Sequence, residues 1–191
     1  LVELKNGELF ERDVALLKKE LPSYQLACEN TQRNPLLQLQ HVSCQFDSKI
    51  LFAIEDFTFQ QGITTLIGAN GVGKSTLFRA ILQLQKYKGS MRYQGQKLKK
   101  SKQLYRHITA VVQDAEKQFI RTTPAEELNL SSLSSENQAK VQEALDLFGL
   151  ADKMDSSLFH LSGGQKKIIQ LLSILTLETP VILMDEPFTG L

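Results

Sequence analysis

Alternation of apolar and polar residues is the main pattern in the first third of the chain. Residues 1–10 alternate on both sides of an Asn-Gly pair, which is typical of a two-residue turn and predicts a β-hairpin. Residues 36–46 and 50–59 alternate in the same way and predict two strands of an antiparallel sheet. Between the hairpin and these strands, the pattern predicts a helix over 11–21 and a polar linker over 23–35.

In the rest of the chain, short apolar runs alternate with segments of helical periodicity. Strands are predicted at 63–67, 108–112 and 181–184, and helices at 75–84, 136–148 and 162–176. Ser135 and Gln138 predict a capping box at the start of the middle helix. Val141, Leu145 and Phe148 are predicted to face a core. Strands that alternate with helices favour an α/β fold with a parallel sheet.

The composition limits the kinds of partner that the chain can bind. Of its 191 residues, 42% are hydrophobic and 23% are charged, as in an average globular protein. The net charge of +1 gives no general basic field, so charge does not favour nucleic-acid binding. The lysine-rich stretch over 97–106 is interpreted as a solvated loop. Any bound anion must therefore be held by a local arrangement of residues.

Residues 68–75 provide such an arrangement, because Gly-Ala-Asn-Gly-Val-Gly-Lys-Ser fits the phosphate-binding pattern G-x-x-x-x-G-K-[ST]. Its glycines allow backbone angles that turn successive N–H groups inward around phosphate oxygens. The positive end of the following helix favours the same anion. Lys74 is expected to contact the outer phosphates, and the Ser75 hydroxyl to join a Mg²⁺ shell. The predicted nucleotide-binding residues of this loop are Gly68, Asn70, Gly71, Gly73, Lys74, Ser75 and Thr76.

Two carboxylates follow the last predicted strand. The apolar run at 181–184 is typical of a parallel strand covered on both faces, and Asp185 and Glu186 come directly after it. Ligands of parallel α/β sheets bind at the carboxyl ends of the strands. We therefore expect Asp185 to hold Mg²⁺ through water and Glu186 to act as the base toward an attacking water.

A serine–glycine turn precedes the helix predicted at 162–176. Leu161 to Gln165 reads Leu-Ser-Gly-Gly-Gln, and its small residues expose N–H groups at a positive helix end. On the residues alone, an ordinary serine N-cap explains this turn equally well.

The phosphate loop, the Leu-Ser-Gly-Gly-Gln turn and the strand-Asp-Glu run, in this order, resemble the ATP-binding cassette (ABC) ATPase family over residues 36–191. The resemblance implies a P-loop NTPase fold with a RecA-like parallel sheet core and an antiparallel β subdomain. It also implies an α-helical subdomain at about 119–175 and the cofactors ATP and Mg²⁺. Enzymes of this family are ATPases whose cassettes work in head-to-tail pairs.

The same resemblance implies roles for residues outside the phosphate loop. Phe46 falls where an aromatic ring stacks on adenine, with a core phenylalanine as the alternative. Gln113 falls at the catalytic Q-loop, which reaches Mg²⁺ or water, with a surface glutamine as the alternative. The turn residues would contact ATP held by an opposing cassette; they are Ser162, Gly163, Gly164 and Gln165.

The Q-loop region resembles one subgroup more closely. Residues 112–119 read Val-Gln-Asp-Ala-Glu-Lys-Gln-Phe, and a Glu-Glu-Leu follows at 126–128, as in energy-coupling-factor (ECF) ATPases. This resemblance implies a transmembrane partner subunit, uptake of a vitamin or metal ion, and a peripheral place on the cytoplasmic face of the membrane. A general ABC importer cassette is the alternative.

The ends of the chain suggest a fragment of a tandem protein. Residues 1–35 resemble the closing hairpin of a preceding cassette plus a linker, and 36–191 a cassette incomplete at its C-terminus. The family's D-loop aspartate, switch histidine and a parallel strand beside the phosphate-loop strand are expected beyond 191. Residues 1–191 alone are therefore expected to be inactive.

The competing hypothesis is a non-transport tandem ATPase that acts on ribosomes or nucleic acid. Only 48 positions separate Gln113 from Leu161, too few for the coiled coil of the DNA-repair members. The connector over 11–35 is short and weakly charged, unlike that of the ribosome-associated members. We therefore expect a second cassette and a membrane subunit as partners, and no nucleic acid.

Overall fold

The computed structural model describes residues 2–11, 34–46, 49–112 and 117–187. These residues belong to two compact units, Leu1–Leu104 and Tyr105–Leu191, which are described separately below. Residues 12–21 of the predicted helix and the predicted Q-loop residue Gln113 lie outside the described residues, and Glu11, the first residue of that predicted helix, is in a strand instead. The proposed boundary between residues 35 and 36 stays a prediction.

The first unit contains two sheets and the helix that follows the phosphate loop. Its elements are β1 (Val2–Lys5), β2 (Glu8–Glu11), β3 (Pro35–Phe46), β4 (Lys49–Gln60), β5 (Leu66–Ile67), α1 (Lys74–Ile81), β6 (Lys88–Tyr93) and β7 (Gln96–Lys97). Strands β4, β3, β6 and β7 form an antiparallel sheet in that order, and β2, β1 and β5 form the second sheet. The two long strands predicted from alternation are confirmed as β3 and β4.

The N-terminal hairpin is part of this unit's core. Asn6 and Gly7 adopt φ of 51° and 86°, the two left-handed residues that a type I′ turn requires. Val2 and Leu4 are buried. Strand β1 pairs in parallel with β5, where Val2 lies opposite Leu66. Among the described residues, β1 lies on one side of β5, which is the edge of this sheet. The flanking strand expected from beyond residue 191 stays a prediction.

Strand β5 is shorter than the alternation predicted. The apolar pattern favoured a strand over 63–67, but only Leu66 and Ile67 pair with β1. Ile63 is 95% exposed. Because β-branched residues favour extended backbone without supplying a partner strand, the pattern overestimates the length of the paired segment.

In its described residues, the second unit contains a parallel strand pair, two helices of 13 residues, one of five, and three short 3₁₀ helices at 130–132, 151–153 and 158–160. Its elements are β8 (Ile108–Val111), α3 (Pro124–Leu128), α4 (Ser135–Leu147), α5 (Gly163–Leu175) and β9 (Val181–Met184), and a short helix α2 (Leu104–His107) precedes β8. Strands β8 and β9 pair in register, with Ile108 opposite Val181. Within the described part of the chain, no helix is both long and apolar enough to cross a membrane.

Apolar side chains from the helices and their connections form the core of the second unit. The buried members are Leu128, Val141, Leu145, Leu150, Leu158, Leu161, Ile169 and Leu172. The predicted core positions Val141 and Leu145 are confirmed, but Phe148, one residue beyond the end of α4, is 51% exposed, so its predicted place in the core is wrong. The predicted capping box is also wrong: the cap is Ser134, whose hydroxyl accepts from the Asn137 N–H.

Candidate functional site

The phosphate loop connects β5 to α1 within the first unit. Gly71 and Gly73 adopt φ of 77° and 108°, which glycine permits without steric cost. Gly73 is the N-cap of α1, and in the described part of the chain no side chain caps this helix. The first turn of α1 also has no acidic residue. The backbone N–H groups at the start of α1 therefore lie at a positive helix end that is suited to an anion.

Lys74 lies across the loop that precedes it. Its ammonium donates to the carbonyl oxygens of Gly68 at 2.7 Å and Ala69 at 3.0 Å. These bonds place the positive charge over the same loop whose glycines turn the backbone. Ser75 is exposed and Thr76 is half-buried, so both hydroxyls lie at the start of α1 within reach of solvent.

Close contact with the N-terminal hairpin explains the first glycine of the loop. A Cβ at Gly68 would lie 2.5 Å from the Leu4 carbonyl oxygen of β1 and 3.0 Å from Val72 Cγ1. Since real Cβ atoms do not approach backbone oxygens this closely, only glycine fits without moving β1. The phosphate loop is therefore packed directly against strand β1 of the hairpin.

This contact predicts that Gly68→Ala destabilises the protein. Forcing backbone apart in a packed core typically costs 1–3 kcal/mol, so we expect a loss of about 2 kcal/mol in the free energy of unfolding. Denaturant unfolding measures it. Gly163→Ala is the matched control, because a Cβ at Gly163 meets no atom of the described residues within 4 Å. Equal stabilities for the two variants would contradict the packing argument.

The acidic pair follows β9 in the second unit. The Asp185 N–H donates to the Val111 carbonyl at 3.1 Å, which extends the pairing of β9 with β8 by one residue. Glu186 is exposed and adopts φ of 48°. A left-handed conformation is uncommon for a non-glycine residue and is concentrated at functional sites. The chain thus turns sharply at the predicted metal ligand Asp185 and the predicted general base Glu186.

The Leu-Ser-Gly-Gly-Gln turn forms a complete capping box. The Ser162 hydroxyl accepts from the Gln165 N–H at 3.3 Å, and the Gln165 side chain accepts from the Ser162 N–H at 3.0 Å. The ordinary N-cap is therefore present. It leaves the hydroxyl proton of Ser162 available as a donor, because the cap uses only an oxygen lone pair. Neither backbone angle nor packing among the described residues requires glycine at 163.

Phe46 lies at the end of β3, opposite Lys49 of β4. Its side chain is 65% exposed, which excludes the alternative of a core phenylalanine. An exposed ring at a sheet end is available to stack on a planar ligand. Its assignment to adenine stays a prediction.

Two glutamates organise the segment before α3. The Glu127 carboxylate accepts from the N–H groups of Ile120 at 3.1 Å and Arg121 at 2.9 Å. Glu126 accepts from the Thr122 hydroxyl at 3.0 Å and from the Thr122 N–H at 3.4 Å. The Thr122 hydroxyl bond, followed by the bond from the Thr122 N–H, lowers the pKa of Glu126 below its ordinary value of 4.5. The sequence showed these residues only as part of a family pattern.

The lowered pKa predicts how this segment responds to acid. Because the folded pKa of Glu126 lies below the unfolded one, its contact contributes stability above pH 4.5 and loses it as pH falls through the folded value. The Thr122 amide resonance, followed by NMR during acid titration, should move with a midpoint below 4.5. The Glu126→Gln variant should show no such midpoint. A wild-type midpoint at or above 4.5 would contradict the assignment.

Comparison with known proteins decides the family. The profile described as "ABC transporter" matches residues 55–189, which include the phosphate loop, the serine–glycine turn and the acidic pair. The chain belongs to the ABC transporter ATP-binding domain family. The predicted P-loop fold of this ATP-binding domain is confirmed by solved cassettes, such as cbiO1 of Clostridium perfringens, described as part of the ABC transporter complex cbiONQ. That structure has a TM-score of 0.65 and 25% identity, covering 82% of this chain and 67% of that chain.

Relatives of the ATP-binding domain share about a third of its sequence. A Methanosarcina acetivorans protein, named for an ABC transporter ATP-binding function, is 31% identical over 89% of this chain and 56% of its own length. The energy-coupling factor transporter ATP-binding protein EcfA1 of Mycoplasma mobile is 33% identical over 80% of this chain and 60% of its own length. The domain therefore spans little more than half the length of these two relatives.

Proposed function

We propose that this ATP-binding domain binds ATP with Mg²⁺ and hydrolyses it to drive solute transport as part of an ABC transporter. The observation that carries the proposal is the start of α1, where left-handed glycines, a helix end without a side-chain cap and Lys74 surround one loop. Family membership supports the same reading.

The phosphate loop is suited to a nucleoside triphosphate. A Cβ at Gly71 would meet no described atom within 4 Å, so this part of the loop faces open space in which a ligand can approach the backbone. Lys74 would exchange its bonds to the Gly68 and Ala69 carbonyls for bonds to phosphate oxygens. Ser75 and Thr76 would supply hydroxyls to the same anion, and Phe46 would stack on the base.

We assign the hydrolytic step to the residues after β9. Glu186 would accept the proton of the water that attacks the outer phosphate. Asp185, Ser75 and Gln113 would hold Mg²⁺, directly or through water, and the ion would neutralise charge on the phosphates when bound. Backbone pairing to Val111 fixes the Asp185 position along β8. Oxygen donors of this kind suit Mg²⁺, which dehydrates reluctantly and keeps several waters.

We assign the serine–glycine turn to ATP held by a second cassette. The open space at Gly163 supports this, because no described atom would contact a Cβ there and a partner would have room to approach the backbone. The Ser162 hydroxyl proton and the first N–H groups of α5 would donate to that phosphate. The second cassette would lie in the same polypeptide. This part of the proposal rests on the resemblance of residues 1–35 to a cassette tail, although the hairpin of that segment pairs here with β5.

For the transport role, an ECF-type importer of a vitamin or metal ion is the more specific proposal. The energy-coupling factor relatives support it, as does the Q-loop pattern. Co-expression of the native-length polypeptide with a candidate membrane subunit tests this role. Co-purification and ATP-dependent solute uptake are expected; association with ribosomes instead would overturn it.

The segment after the Q-loop offers a variant that separates transport from nucleotide binding. Ile120 is 86% exposed, whereas its neighbour Phe119 packs against the helical core. We expect Ile120→Ser to lower uptake per ATP hydrolysed several-fold, because an exposed apolar side chain beside the Q-loop would face the membrane subunit. ATP affinity should stay unchanged. Uptake and phosphate release measured together decide; normal coupling would contradict the assignment.

A further inference from the structure

Two polar side chains of α5 are buried where the helix would be expected to present apolar ones. Lys167 and Gln170 are 3% and 0% exposed, and they are the buried polar residues of the described part of the chain. They lie one turn apart, beside the buried Ile169. Burying an amide or an ammonium is costly unless hydrogen bonds compensate it. Both side chains have partners for their nitrogens, whereas Gln170 Oε1 has none among the described residues.

Both side chains donate to one carbonyl. The Lys167 ammonium lies 3.1 Å from the Val112 oxygen, and Gln170 Nε2 lies 3.0 Å from the same atom. Val112 is the first residue after β8, so its carbonyl has no place in the β8–β9 ladder. Because a carbonyl oxygen has two lone pairs, it can accept both bonds.

Gln118 completes the network from the other side of the Q-loop region. Its Oε1 accepts from the Val112 N–H at 3.2 Å and from Gln170 Nε2 at 2.6 Å, and its Nε2 donates to the Ala110 carbonyl at 2.8 Å. Both backbone polar groups of Val112 are therefore held by side chains.

Asp185, directly after β9, is hydrogen-bonded to Val111, the residue of β8 that precedes Val112. The Asp185 N–H bonds the Val111 carbonyl, while α5 bonds the carbonyl of Val112. Helix α5 begins at the serine–glycine turn. Two sets of hydrogen bonds, joined by the backbone of Val111 and Val112, thus connect the helix of that turn to the residue that precedes Glu186.

We propose that Lys167, Gln170 and Gln118 are positioning residues that fix the end of β8 against α5 for ATP hydrolysis. The inference rests on the proposed function. Well-packed apolar residues would stabilise this interface at a lower desolvation cost. Hydrogen bonds to the backbone of a single residue instead fix its position, because they form in one arrangement only. The network aligns the strand ends that lead to Gln113 and Asp185.

The test uses the native-length polypeptide with Gln170→Leu, Gln118→Leu and the double variant. We expect kcat for ATP to fall about tenfold or more, which corresponds to roughly 1.4 kcal/mol of activation free energy. We expect KM to change less than about twofold. The double variant should lose little more than either single variant, because the residues act as one unit. Gln118→Glu keeps the acceptor for Val112 and Gln170 and should recover part of kcat. The matched control is Gln142→Leu, the same change on the exposed face of α4.

Amide hydrogen exchange at Val112 supplies a readout that needs no activity. Gln118→Leu removes the acceptor of this N–H and should speed its exchange, whereas Gln142→Leu should not. Unchanged exchange, or faster exchange with a wild-type kcat, would overturn the proposal. So would a fall in kcat that merely follows a lower melting temperature. If wild-type protein shows no Lys74-dependent turnover, the proposed function itself fails; normal wild-type turnover with unaffected variants refutes only the network's role.

Discussion

Lys74→Ala is expected to weaken ATP binding by about 100-fold or more. Hydrogen bonds to charged groups contribute about 1.5–3 kcal/mol each, and about 1.4 kcal/mol corresponds to a factor of ten. The Lys74 ammonium already reaches two atoms of the loop, at Gly68 and Ala69, so it is placed to make two such bonds to phosphate. Titration with a fluorescent ATP analogue measures the change.

Two variants separate the role of Lys74 from general charge. Lys88→Ala removes a lysine from an exposed position of β6 in the same unit and should bind ATP normally. Lys74→Arg should recover binding only in part, because a planar guanidinium does not replace a compact ammonium. Equal affinities for Lys74→Ala and Lys88→Ala would show that the loop does not use this side chain.

Glu186→Gln is expected to keep ATP binding and to lower turnover by a factor of 10²–10⁴, the range that general-base catalysis contributes. The amide has nearly the same size and should tolerate the left-handed backbone at this position equally well, but it cannot accept the proton of water. Phosphate release under saturating ATP measures turnover. Glu143→Gln, an exposed change on α4, is the matched control. A normal rate in Glu186→Gln would exclude the base assignment.

Much of the fold follows from local sequence. The Asn-Gly turn, the long strands β3 and β4, and the helix after the phosphate loop each have a strong local cause, and the structure confirms them. The phosphate loop was predictable because a short pattern specifies both its backbone angles and its charge.

Features that depend on distant partners were not predictable. Nothing near Leu66 indicates that Val2 pairs with it, and so neither the length of β5 nor the parallel position of β1 could be derived. The N-cap of α4 is Ser134 rather than Ser135, and two adjacent serines offer no local signal that separates them. Nothing in the sequence near Gln170 indicates its partner Val112, which lies 58 residues away, and so the buried amide could not be predicted.

The identity of the nucleotide retained after incubation with Mg-ATP tests the central claim most directly. Wild-type, Lys74→Ala and Glu186→Gln proteins of native length are freed of unbound nucleotide, and what remains bound is analysed. The account predicts ADP or no nucleotide on wild type, none on Lys74→Ala and intact ATP on Glu186→Gln. ADP on Glu186→Gln in the amount found for wild type, or nucleotide on Lys74→Ala, would contradict it.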